Sequence, residues 1–180
     1  YRKAYLDGKL TFAANAFYST WQDQQVVLRT INPSTFRISE RVINAADSSL
    51  YGGELEVDYQ PSDTLRIFGS VGLLSTRYDD FTFGIDPMIA AGMGVPPLFS
   101  YEGYEFPQSP KLTVSLGFDW RHHSGLFFAA DAGYSSSYFS PVLFAPLGSG
   151  IGGISVQVPQ DDVVEIDPLL TVNVAAGFEN

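Results

Sequence analysis

The sequence predicts an all-β fold: an antiparallel up-and-down meander of about six full strands plus a stub, forming part of a transmembrane β-barrel. Three observations carry this. Successive segments alternate apolar and polar residues with a period of two. The connections alternate short and long, which in a meander sends every short turn to one rim and every long loop to the other. The stretch Ser49–Pro61 has one face of Tyr51, Gly53, Leu55, Val57 and Tyr59, and another carrying Glu54, Glu56 and Asp58. Unpaired carboxylates are costly in a sandwich core. They suit a wet or protein-filled lumen, with the tyrosine-bounded stripe facing lipid. Tyr51 to Tyr59 spans roughly 26 Å at ~3.3 Å per residue, or near 20 Å after a tilt of ~40°. That is comparable to the ~25 Å apolar band of a membrane barrel, which aromatic girdles flank.

In chain order, Tyr1–Leu6 is the tail of a strand, and Asp7-Gly8 is a two-residue hairpin signal. The next strand runs from Leu10 to about Val27. Leu10, Phe12, Ala14, Ala16 and Tyr18 share its outer face; Phe17 and Trp21 interrupt the polar one, so its far end projects beyond the bilayer. Residues Arg29–Ala45, with Asn32-Pro33 and mixed charges, form a long loop. After the acidic strand, Ser62-Asp63-Thr64 turns the chain into a strand from Leu65. Its Ile67, Gly69, Val71 and Leu73 face out and Arg66, Ser70, Gly72 and Thr76 face in, with Phe68 and Leu74 as exceptions.

A long connection, Asp79–Ser109, follows, and connections of that length are usually functional or disordered. Lys111–Arg121 places Leu112, Val114, Leu116, Phe118 and Trp120 outside, and Thr113, Ser115, Gly117, Asp119 and Arg121 inside. His122–Gly125 is a turn, and Leu126–Tyr138 returns. Phe139–Asp167 is a third long loop, rich in Gly and Pro. The last strand, Leu169–Glu179, sets Leu170, Val172, Val174, Ala176 and Phe178 against Thr171, Asn173 and Glu179.

Composition removes several function classes. The chain has 180 residues and a formal charge of −10, which opposes nucleic-acid binding, where clustered Lys and Arg are needed. It has no Cys, hence neither disulfides nor a thiolate metal site. The longest apolar run, Leu126 to Ala130, is far short of the ~20 residues of a spanning helix. Glu54, Glu56 and Asp58 share a face but spread over roughly 13 Å, which suits a wall better than a catalytic pair or a metal site. His122 and His123 are adjacent and point apart. Asp79-Asp80 and Asp161-Asp162 lack EF-hand spacing, and no nucleophile elbow, P-loop or dinucleotide fingerprint occurs. No catalytic residue, metal or cofactor is expected.

The chain resembles the β-barrel domain of TonB-dependent outer-membrane receptors. The resemblance lies in Asp7–Tyr18 with Asp23 and Gln25, in Tyr51–Glu56, in Pro61–Ser70, in Ser109–Gly117, and in the strand from Gly125 to Tyr138. It implies uptake of a scarce, bulky solute across the bacterial outer membrane, often a ferric siderophore, sometimes cobalamin or a saccharide. It also implies two partners: a plug domain filling the lumen and the TonB complex of the inner membrane, which supplies the energy. On this reading Glu54, Glu56 and Asp58 face the plug, whose arginines pair with barrel glutamates. Ligand meets the long-loop rim, where Phe99, Tyr101, Tyr104 and Phe106 offer flat surfaces for a catechol, corrin or sugar. The alternative for these four is a loop that packs its own aromatics.

Against the complete family pattern, the chain shows no signal peptide, TonB box or plug, and Glu179-Asn180 is not the aromatic end of a finished barrel. Six strands and a stub cannot close so large a barrel. The expectation is therefore a partial barrel domain over residues 1–180. Two other classes stay open: a passive porin-type barrel, and a secreted β-sandwich binding module.

Overall fold

The computed structural model describes residues 1–31, 38–84, 87, 88, 91, 97–139 and 165–179. Its strands are β1 (Arg2–Tyr5), β2 (Leu10–Ile31), β3 (Ile38–Ser62), β4 (Leu65–Gly84), β5 (Leu98–Ser100), β6 (Leu112–Arg121), β7 (Leu126–Ser135), β8 (Tyr138–Phe139), β9 (Glu165–Ile166) and β10 (Leu169–Phe178). One sheet runs β1-β2-β3-β4-β6-β7-β10, with β5 attached to β4; β8 and β9 form a separate ladder. Neighbours in the main sheet are antiparallel. This is the expected meander.

The pairing registers turn the sequence alternation into continuous rows. Leu10, Tyr59, Ile67, Phe118, Ala130 and Val174 stand side by side, and so do Phe12, Val57, Gly69, Leu116, Ala132 and Val172. The opposite face holds the row Ala13, Glu56, Ser70, Ser115, Gly133 and Thr171. A slip of one residue in any strand would mix these faces, so the pattern itself specifies register. The apolar rows are uncovered: Leu116 is 59% and Val174 64% exposed.

The turns step along the sheet. The row through Leu10, the first residue of β2, meets β4 at Ile67, two positions past its start at Leu65. It meets β7 at Ala130, four positions past the start at Leu126. Each hairpin is thus displaced by two residues. With ~3.3 Å per residue and ~4.8 Å between strands, that stagger corresponds to a strand tilt of about 35°, within the range a closing barrel requires.

Several predicted boundaries differ. The loop Arg29–Ala45 is mostly paired: β2 and β3 stay in register to Ile31 and Ile38. Shifts between Trp21, Gln24 and Gln25 reset the alternation, and this hides the extension from a period-two reading. Likewise β4 runs on to Gly84 and pairs with β5, inside the stretch assigned to the Asp79–Ser109 connection. The strand Leu126–Tyr138 ends at Ser135, and Tyr138–Phe139 pairs instead with Glu165–Ile166. At the first turn the positive φ values fall at Leu6, Asp7 and Gly8, with Gly8 N–H donating to Tyr5 O at 3.1 Å, so the tight turn starts one residue early. Thus β6, β7 and β10, at 10 residues each, match a bilayer crossing, whereas β2, β3 and β4, at 22, 25 and 20, overrun it. Most of the Phe139–Asp167 loop lies outside the described residues.

Among the described residues, the buried hydrophobics are Tyr78, Phe81 and Tyr101. They sit on the overrun. Asp47 pairs with Asp80 and Ser48 with Tyr78, leaving Asp79 as the extra residue of a bulge. The bulge brings Phe81 round to the face of Tyr78 and Thr76, where all three are buried.

Candidate functional site

The inner wall is built by the polar rows, and its carboxylates have different surroundings. Arg66 Nε donates to Asp58 Oδ1 and Oδ2 at 3.2 and 3.0 Å, and its Nη2 also contacts Asp58. Asn15 Nδ2, directly across from Glu54, donates to Glu54 Oε2 at 2.8 Å. Glu56 has no side-chain hydrogen-bond or ion-pair partner among the described residues. It lines a shallow cavity of 260 Å³ with Arg2, Asp58, Phe68, Ser70 and Ser115. Elsewhere on this face Ser70 and Ser115 share a hydrogen bond at 2.7 Å, and Asn173 Nδ2 donates to Asp131 Oδ2 at 2.8 Å.

The aromatics that interrupt the polar face have a local reason. Phe17 stands opposite Gly52, Phe68 opposite Gly117, and Phe127 opposite Gly177. In each case a Cβ built on the glycine would fall 2.5–2.6 Å from the phenyl ring. The ring lies over the glycine, shielding backbone from water and lying flat against the wall. Two of these rings also carry an arginine: Arg66 is 5.0 Å from the Phe68 centroid, and Arg121 is 5.8 Å from that of Phe127. Arg121 donates in turn to Glu179 at 2.9 and 3.1 Å. Both arginines are thus held within the wall by a ring and a carboxylate.

At the other rim, the segment after β5 folds onto the inner face of the overrun. Tyr101 N–H donates to Phe81 O at 2.8 Å, Gly103 N–H to Tyr78 O at 2.8 Å, Tyr78 N–H to Tyr104 O at 2.9 Å, and Phe106 N–H to Thr76 Oγ1 at 2.9 Å. The rings interlock: Phe81 and Tyr101 at 5.1 Å, Tyr78 and Phe106 at 4.7 Å, Tyr101 and Tyr104 at 5.8 Å. Trp21 stacks on Phe106 at 6.1 Å with planes 19° apart. Burial raises the Tyr101 phenol well above the ordinary tyrosine range.

Of the four loop aromatics singled out from the sequence, Tyr101 is buried, and Tyr104 and Phe106 are half-buried in the same cluster. Phe99 lies on β5 opposite Phe83, and its side chain is outside the described set. Sequence reasoning missed Trp21, Tyr78 and Phe81 as parts of this shelf. The signal was present: an aromatic on inward parity near the loop rim has no lipid to face. At the opposite rim, His122 Nδ1 lies 2.8 Å from Ser124 Oγ within its turn. Among the described residues no group of three or more His, Asp or Glu is placed to hold a metal ion.

A two-faced, staggered meander with short turns at one rim and long loops at the other is the wall of a membrane barrel. A family model described as TonB dependent receptor-like, beta-barrel, matches residues 1–179. The chain belongs to the TonB-dependent receptor β-barrel family. Two solved structures share its fold. The siderophore receptor PiuA from Acinetobacter baumannii superposes with a TM-score of 0.63 at 15% identity, over 98% of this chain and 21% of that one. The FrpB iron transporter from Neisseria meningitidis (F3-3 variant) gives 0.53 at 14% identity, over 97% of this chain and 23% of that one. The chain therefore spans about a fifth of the length of these receptors. The acidic rows and the aromatic shelf lie on one face of this sheet.

Proposed function

We propose that this chain is one wall of a bacterial outer-membrane receptor for TonB-energised uptake of a bulky, scarce solute, with a ferric siderophore as the substrate class. The observation that carries the proposal is the two-faced sheet matched along its length by the receptor-barrel family. The siderophore receptor and the iron transporter among its structural neighbours support the substrate class. The role is transport, with no chemical turnover. Glu56, open on the wall, and Glu54 beside it face the plug domain and pair with its arginines, while Asp58 is held by Arg66. Such pairs are directional and strong in a partly desolvated interface. They latch the plug until TonB pulls. Phe99, Tyr104 and Phe106 contribute to the ligand-facing rim, and Tyr101 holds the shelf beneath them.

The test uses the full-length receptor in cells lacking their other iron receptors, with uptake of a radiolabelled ferric siderophore followed with and without TonB. Uptake that stops without TonB is expected. Uptake that continues would assign the chain to a passive, porin-type barrel.

A further inference from the structure

Trp21 stands out on the inner face. It is 47% exposed, whereas Tyr78, the ring beside its partner Phe106, and Phe81, which packs on Tyr78, are 5% and 0% exposed. Its parity on β2 matches that of Asn15 and Phe17, so it points inward and takes no part in a lipid girdle. The stacked pair cannot retreat, because the shelf beneath is closed by the Tyr78, Phe81 and Tyr101 rings and by backbone hydrogen bonds. A half-exposed indole held flat on a rigid base is preorganised to stack on another flat ring.

The electrostatics select the charge of that ring. Among the described side chains on the loop side of the sheet, Asp23, Asp47, Asp79, Asp80, Glu102, Glu105, Glu165 and Asp167 stand against Arg77 and Lys111, eight acids to two bases, a net of −6. Among the described residues, both loop-side cations are engaged: Lys111 is 2.5 Å from Glu105, and Arg77 is 3.7 Å from Asp79 on the face opposite Tyr78. An anionic solute would meet a repulsive wall here.

The geometry points to Trp21 and Phe106 as a ligand platform that takes a flat, uncharged ring, so the solute this wall favours is neutral. The inference rests on the uptake reading above and narrows its substrate class.

Three probes test it on the full-length receptor in outer-membrane vesicles: a neutral ferric tris-hydroxamate, the same complex with one appended phenyl group, and a ferric tris-catecholate carrying three negative charges. The phenyl-bearing complex is expected to bind about fivefold to tenfold tighter than the plain one. Trp21→Leu should erase that advantage and Trp21→Phe should keep most of it. The trianion should bind weakest at low salt and gain as salt rises. In Trp21→Phe, the loss of the fluorescence quenched by bound iron reports contact in a variant that retains a ring, should Trp21→Leu not assemble. A phenyl advantage unchanged by Trp21→Leu, or tightest binding of the trianion at low salt, would overturn the platform. If wild type bound none of the three, the iron reading itself would fail and take this inference with it.

Discussion

Replacing Glu56 by Gln in the full receptor separates a latch from a wet wall. The structure ranks the three wall carboxylates by what each already holds. Asp58 has Arg66, in a pair with both side chains about half exposed, and such pairs contribute ~0–1 kcal/mol. Glu54 has Asn15, and a Gln there still accepts that hydrogen bond. Glu56 has no partner in its own wall, so a plug arginine facing it loses most when the charge goes. Breaking such a pair in a desolvated interface costs on the order of 3–5 kcal/mol. A loss of about 3 kcal/mol raises the unlatched population about 150-fold, at tenfold per ~1.4 kcal/mol. The assay is sensitivity of whole cells to an antibiotic too large for porins, with ligand binding at the cell surface measured in parallel. Of the single variants Glu56→Gln should leak most and Asp58→Asn little, the double variant Glu54→Gln with Glu56→Gln should leak at least as much as Glu56→Gln, and surface binding should persist in all. A Glu56→Gln receptor as tight as wild type, or an Asp58→Asn receptor that leaks more, would refute the latch.

Three further outcomes are expected. Leu116→Arg, on the outer face, should destabilise the refolded barrel by roughly 2–4 kcal/mol in a denaturant titration, and Ser115→Arg, its inward neighbour, by far less; equal costs would reject the face assignment. Gly117→Val should destabilise by roughly 1–3 kcal/mol, because the Phe68 ring occupies the space a side chain would need, and pairing it with Phe68→Ala should recover part of the loss in the same titration. The Tyr101 phenol is raised by burial, so its contribution to the shelf is complete below the ordinary tyrosine value of ~10 and is lost as pH climbs through the higher folded value. Burial raises the neighbouring Tyr78 phenol as well, so ultraviolet titration should show two shelf tyrosines missing from the ionisation near pH 10 in wild type, and one in Tyr101→Phe.

Much of the wall is legible in the sequence because period-two alternation is all a lipid-facing strand needs. Val114, Leu116 and Phe118 declare their face without help from any partner strand. The overrun is less legible, for two reasons. Val26 to Ile31 and Ile38 to Ile43 carry no period-two alternation in sequence, so nothing in the residues marks them as paired strand. The bulges at Trp21–Gln25 and at Asp79 then change the parity of what remains. The aromatic shelf was legible only in part: inward parity near the loop rim marks Trp21 as turned from lipid, but the contacts join Trp21, Tyr78 and Phe106 across long separations in the chain. The inward phenylalanines were legible only as exceptions. Each has its reason in a glycine on the next strand, and that requires the register.

The most direct measurement is a single-cysteine spin-label scan of residues 112 to 121 in the full-length receptor reconstituted in bilayers, reading collision with dissolved oxygen, which concentrates in lipid. High accessibility at 112, 114, 116 and 118 with low accessibility at 113, 115, 117 and 119 is the expected result for a strand between lipid and a filled lumen. A profile without that alternation, or with its phase reversed, would contradict the two-faced wall and every functional assignment built on it.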